Sequence, residues 1–170
     1  MNVSDAIRTK RAVRQFQEKP LPDEVAHRIL NAGRRAQSSK NSQPWQFLAI
    51  REKGILEALS GTGMYAGHLA GAALGVAILI PNPDEKFQTL FDAGQAAAYM
   101  QLVAWEVGVG SCLASIYEPD KAREILGFPQ EWQVRICISF GFPLDENLIN
   151  AAPKKGGRKP FEDIVHWEKW

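Results

Sequence analysis

No stretch of this sequence is apolar for long enough to cross a bilayer. The longest apolar run, AALGVAILIP at 72–81, falls well short of the ~20 residues a membrane helix needs. The start, MNVSDAIRTKR, lacks the apolar region of a secretory signal. A cytoplasmic protein without a membrane partner is therefore expected. Only two cysteines occur, Cys112 and Cys137, too far apart for a metal-ligand motif. Each is expected to be a small buried hydrophobe. The three histidines, His27, His68 and His166, are scattered and form no zinc signature, so no metal is expected. The net charge of only +1 argues against the wide basic face of a nucleic-acid binder. No Ser-His-Asp set, activated cysteine or carboxylate pair stands out. That absence points toward chemistry carried by a cofactor, for which the protein supplies binding, orientation and electrostatics.

What is present reads as one globular domain. The chain has 170 residues, 45% hydrophobic and 23% charged, enough to bury a real core. A short helix is expected over 3–9 with Ser4 as its N-cap, and a second over 22–36, with Asp and Glu in its first turn and Arg near its end. QFLAIR (46–51) suggests a strand and EKGILEALS a short helix. MYAGHLAG is expected to turn, and ALGVAILI (73–80) to form a strand buried on both faces. PNPDE follows as a loop. From Phe87 to Gly108, the spacing of Leu90, Ala93, Ala97, Met100, Ala104 and Val107 predicts a long Ala-rich helix that permits close packing. Then come a strand (SCLASI), a helix opened by Pro119 and a strand (QVRICISF). Residues 144–170 differ in character, rich in Pro, Gly and Lys before a run containing Trp167 and Trp170. Such a tail is expected to be covered, by its own subunit or by a neighbour.

Several local signals bear on function. GTGMYA (61–66) matches G-x-G-x-x-A, but a helical pattern precedes it where a dinucleotide fold needs a strand. Two basic clusters lie at opposite ends of the chain: Lys10, Arg11 and Arg14, then Lys154, Lys155, Arg158 and Lys159. Solvated surface charge is the bland reading; convergence on one phosphate is the functional one. The segment QSSKNSQPWQF (37–47) crowds two hydroxyls and two amides beside a tryptophan. Turn formation accounts for such residues. Alternatively, Asn41 and Gln43, which both donate and accept, suit the edge of a flat heterocycle. The break GVGSCLASI (108–116) would let backbone approach the same ring.

TKRAVRQF, QSSKNSQPWQFLAI, DAGQAAAYMQLVAWEVGVGSC, the GFP after the last core strand and RKPFEDIVHWEKW together resemble the flavin-dependent nitroreductase family, in that family's order and over nearly the whole chain. The resemblance implies an α+β fold with a central, mostly antiparallel sheet flanked by helices, in an intertwined homodimer. It implies FMN at the interface and NADH or NADPH as co-substrate in a ping-pong reaction. Lys10, Arg11, Ala12 and Arg14 match the segment that binds phosphate and ribityl, although Ala12 replaces the usual serine. Ser38, Ser39, Asn41 and Gln43 match a loop that reaches the partner's flavin, with Gln37 where proline is usual. Ser115 and Ile116 fall where backbone faces the flavin, and Arg158 and Lys159 where late phosphate contacts arise. Larger members carry an insertion where PNPDEKFQTLF is short. Tyr65, His68, Phe87 and Phe91 are expected to line the open face, with core packing the alternative for the phenylalanines.

The implied activity is reduction of a small, flat acceptor such as a nitroaromatic, quinone, enone or flavin. A flavin carrier or sensor without turnover is the alternative, and an unrelated α/β interaction domain is a third.

Overall fold

A computed structural model of the protein describes residues 1–82, 86–149 and 157–170. The elements run α1 (Val3–Thr9), α2 (Asp23–Arg34), β1 (Gln46–Ile50), α3 (Lys53–Ser60), β2 (Leu74–Pro81), α4 (Gln88–Glu106), β3 (Gly110–Ser115), α5 (Pro119–Leu126) and β4 (Trp132–Gly141). Helix α1 is capped by Asn2, whose side chain accepts from the Asp5 amide at 2.9 Å. Ser4, the expected cap, lies inside the helix. Helix α5 starts with Pro119, whose missing N–H costs nothing there, and stops at Gly127, which takes φ +68°. Helix α4 gives way to Gly108 at φ +78°. The loop over PNPDE lies partly outside the described residues, as do Lys154 and Lys155.

The four strands form one sheet in the order β1-β2-β4-β3, with every pairing antiparallel. This is the α+β architecture expected. Alternation along β2 serves two cores at once. Leu74, Val76, Ile78 and Ile80 face α2 and α4 together with Ile138 and Phe140. Ala77 and Leu79 face α3 and α5 together with Ile50, Leu56, Leu59 and Cys137. A register shift between Ile78 and Leu79 skips Arg135, which marks a bulge in β4. The extra residue reverses the alternation, so Val134 joins Cys137 in the second core although the two are three positions apart. Ala97, Met100 and Ala104 of α4 are buried as expected, and Ala96 with them, whereas Leu90 is exposed and lines an open cavity.

In a single protomer the described tail remains uncovered: Phe161, Ile164 and Trp167 are exposed and Trp170 is fully so. Of the two expected covers for this tail, the chain's own body is therefore not the one found. Among the described residues, no helix is long and apolar enough to cross a membrane, and no group of His, Cys, Asp or Glu has the arrangement of a metal site.

Candidate functional site

The basic segment is positioned by β3. Leaving α1, the chain lies beside that strand: Ala12 forms a parallel bridge with Ser111, and the Val13 amide donates to the Ser111 carbonyl at 2.9 Å. Val13 is buried against Gly110, where a Cβ would come within 2.7 Å of the Val13 side chain. The glycine thus lets the segment seat. Further on, Phe16 bridges to Pro143 and the Gln17 amide donates to the Phe142 carbonyl. With Val13 turned inward, Ala12 and Arg14 are exposed.

Each cation has a distinct setting. The Arg11 guanidinium lies 5.9 Å from the Trp105 ring centroid, and its Nε donates to the Thr9 carbonyl at 3.4 Å. Trp105 in turn donates through Nε1 to Thr9 Oγ1 at 2.9 Å. This stacking favours a guanidinium over an ammonium. Partial burial pulls the Lys10 ammonium below its ordinary pKa, with Cys112 acting weakly the other way. Burial raises the Cys112 thiol, and the nearby cations Arg14 and Lys10 oppose that rise. Lys10, Arg14 and the start of β3 are therefore close neighbours. By contrast, Cys137 is sealed in the core and its pKa is pushed up to about 12, so neither cysteine is primed as a thiolate.

Behind β3 lies His68, buried at 8% exposure. Its Nδ1 is 2.8 Å from Ser139 Oγ, and that hydroxyl donates to the Cys112 carbonyl at 3.3 Å. With the hydroxyl proton so used, Nδ1 is the donor of the pair. Nε2 is left as a buried atom with no hydrogen-bond partner. Burial lowers the His68 pKa; the Leu113 carbonyl opposes that and Arg14 reinforces it. Tyr65 is exposed on the neighbouring turn. Gly63 secures that turn, since a Cβ there would collide with the Ser115 carbonyl. Ser115 is exposed at the end of β3, while Ile116 is buried and its amide is already bonded to the Arg135 carbonyl at 2.9 Å.

The polar loop lies elsewhere. Ser39–Asn41 forms a single 3-10 turn, and Lys40, Asn41 and Gln43 take φ of 53°, 54° and 48°. Left-handed backbone at a non-glycine residue costs on the order of 1–3 kcal/mol and persists only where the surroundings dictate it. Two contacts do so here. The Gln43 amide donates to Ser38 Oγ at 2.9 Å, and the Ser39 amide donates to both carboxylate oxygens of Asp92 at 3.2 and 3.1 Å. Asn41 and Gln43 are exposed, with Gln43 Nε2 3.3 Å from Asn41 Oδ1. Trp45, by contrast, is buried at 6% and anchors the exit of the loop to the core.

The expected site residues thus fall into two groups. Lys10, Arg11, Ala12 and Arg14 lie at the start of β3, near the C-terminal end of α4, with His68 behind the strand, while Ser115 and Ile116 lie at its far end beside the turn that carries Tyr65. Ser38, Ser39, Asn41 and Gln43 sit at the N-terminal end of α4, the end that carries the exposed Phe87 and Phe91. From Asp92 to Trp105 the helix advances about 20 Å at ~1.5 Å per residue. Between them, α4 and the sheet flank an apolar cavity of about 360 Å³, with Leu113 and Arg135 in its lining. Arg158 and Lys159 are exposed on the tail. Asp92 and the Arg135 bulge carry no signal in the sequence, because each acquires its role only through partners distant along the chain.

Comparison with known proteins gives consistent matches. The model of the nitroreductase family matches residues 7–62 and 57–142. A protein of Archaeoglobus fulgidus, provisionally named NADH dehydrogenase/NAD(P)H nitroreductase, is 28% identical over 96% of each chain. An NADH dehydrogenase of Thermus thermophilus is 23% identical over 98% of this chain and 96% of its own. Among solved structures, an FMN-dependent nitroreductase from Clostridium difficile superposes with a TM-score of 0.85 at 26% identity, covering 98% of this chain and 99% of its own.

Proposed function

Because this chain belongs to the nitroreductase family, we propose that it is an FMN-dependent oxidoreductase that draws electrons from NADH or NADPH to reduce a small, flat acceptor. The observation that carries this reading is the set of three cations, Lys10, Arg11 and Arg14, ordered against β3 by the Val13–Ser111 pairing. Cations held by neighbouring backbone and aromatic groups suit a phosphate better than freely solvated ones do. The FMN-dependent description of the C. difficile structure and the nicotinamide cofactor in the name of the A. fulgidus relative support the same choice.

The residues present fit FMN. Arg11 and Arg14, with Arg158 and Lys159 from the tail, would hold the phosphate, and the exposed Ala12 backbone the ribityl chain. The end of β3 at Ser115 and Ile116 would back the ring. Ser38, Ser39, Asn41 and Gln43 would meet its polar edge. Bound FMN would supply the two-electron redox chemistry. The chain's own task is then to orient two flat rings at reacting distance and to exclude water from between them. Tyr65, Phe87 and Phe91 offer aromatic surface for the acceptor, which is a nitroaromatic, quinone, enone or flavin. The nicotinamide and the acceptor would use that surface in turn, which is a ping-pong order. No protein side chain acts as a nucleophile.

Since the two groups of site residues lie about 20 Å apart along α4, we assign the working unit as a homodimer. The polar loop and phenylalanines of one copy would complete the basic half-site of the other. The aromatic tail at 157–170, exposed on one protomer, would pack on the partner.

The test is spectroscopic. The purified protein should be yellow, mass spectrometry of the released flavin should find FMN, and anaerobic NADH or NADPH should bleach the spectrum. Finding mainly FAD would overturn the phosphate assignment. An FMN spectrum untouched by either nucleotide would leave a flavin carrier or sensor.

A further inference from the structure

Among the described residues Asp92 is the only buried carboxylate, at 4% exposure. It takes no part in the electron transfer proposed above. A carboxylate removed from water is costly unless it is hydrogen-bonded, and its one described donor is the Ser39 amide, which approaches both oxygens. That amide opens the 3-10 turn and has no acceptor within it. The Ser38 hydroxyl, which usually caps such a turn, is instead occupied by the Gln43 amide. Within five residues of Ser38 lie three left-handed non-glycine residues, Lys40, Asn41 and Gln43. Such backbone persists only where its surroundings over-determine it.

We infer that Asp92 is a positioning residue: by accepting the Ser39 N–H, its carboxylate holds residues 38–43 in the left-handed conformation that presents Asn41 and Gln43 outward as half of the cofactor site. The bond is charge-assisted and so stronger than a neutral one. It ties the loop to α4, a rigid element that also carries Phe87 and Phe91 near the same end. The loop's geometry is thereby set by the helix across 53 residues of sequence, and the two exposed amides keep a fixed place relative to that aromatic surface. This inference rests on the FMN reading for its consequence, but not for its structural content.

The test uses the purified full-length protein before and after FMN is added. Asp92→Leu replaces the carboxylate by an apolar group of similar size and deletes the acceptor; Asp92→Ala is its companion should the leucine disturb packing. Asp92→Asn keeps an oxygen that can accept the same bond. Hydrogen–deuterium exchange of the peptide spanning 37–45 should speed up in the Leu and Ala variants. Their FMN Kd should rise by about tenfold or more, the equivalent of one charge-assisted hydrogen bond. Asp92→Asn, which keeps an acceptor but loses the charge, should fall between the parent and the Leu variant in both readouts. Parent-like exchange in the Leu and Ala variants would overturn the inference, and so would faster exchange with an unchanged Kd. A parent that binds no FMN would sink the cofactor reading, while the exchange comparison would still decide whether Asp92 orders the loop.

Discussion

At the residue scale, the proposed site depends on the setting that the fold gives each polar group. The Arg11 guanidinium lies over the Trp105 ring, 5.9 Å from its centroid. Arg11→Ala should weaken FMN binding by roughly 1.5–3 kcal/mol, the worth of a hydrogen bond to a charged group. That is about ten- to more than a hundredfold in Kd, to be read by fluorescence titration. An unchanged Kd would remove Arg11 from the phosphate site. His68 makes a different prediction. Its folded pKa is lowered by burial, while in the unfolded chain it titrates near ~6.5. As pH falls below that value, the unfolded state binds more protons than the folded one, so stability falls. Urea unfolding between pH 7.5 and pH 5 should show the parent losing more stability than His68→Gln, by at most about 1.4 kcal/mol per pH unit. Parallel profiles would mean that His68 titrates alike in both states.

Pairs of elements decide where those residues stand. The segment 10–14 lies on β3 because Gly110 leaves room for Val13. Gly110→Ala would place a Cβ 2.7–2.8 Å from three carbons of Val13. Overpacking of this kind costs about 1–3 kcal/mol, or roughly 2–12 °C in Tm for a chain of this size. Calorimetry should record that loss, and FMN affinity should fall with it as the basic segment lifts from the strand. A variant with parental Tm and affinity would show that β3 does not position the cations. Helix α4 plays the complementary part. Its small residues let α2 and the sheet approach, and its two ends would carry the two halves of the proposed site.

For the whole molecule, the proposed homodimer makes the tail a structural element rather than an appendage. Its aromatic residues lie uncovered on one protomer, a costly exposure for a chain that works alone. Deleting residues 150–170 removes this surface together with Arg158 and Lys159. Light scattering coupled to size exclusion should then find monomer or aggregate, without bound flavin. A truncated chain that stays a flavin-loaded dimer would refute the role of the tail.

Much of this protein was legible in sequence because its cues are local. The order of helices and strands, the doubly buried β2 and the stop signal at Gly108 follow from periodicity and from backbone chemistry within a few residues. So did the family, whose motifs run in order along the chain and whose model spans residues 7–142. The N-cap of α1 was misplaced by two residues, since Asn2 and Ser4 offer the same kind of oxygen and only the local backbone chooses between them. Tertiary structure decided what no local pattern encodes. It buried His68 against Ser139, inserted the bulge at Arg135, and brought Asp92 to the Ser39 amide across 53 residues. It also separated the polar loop from the basic segment by the length of a helix. Each of these outcomes rests on contacts between residues far apart in the chain, whose strength depends on burial and alignment that only the packed fold supplies.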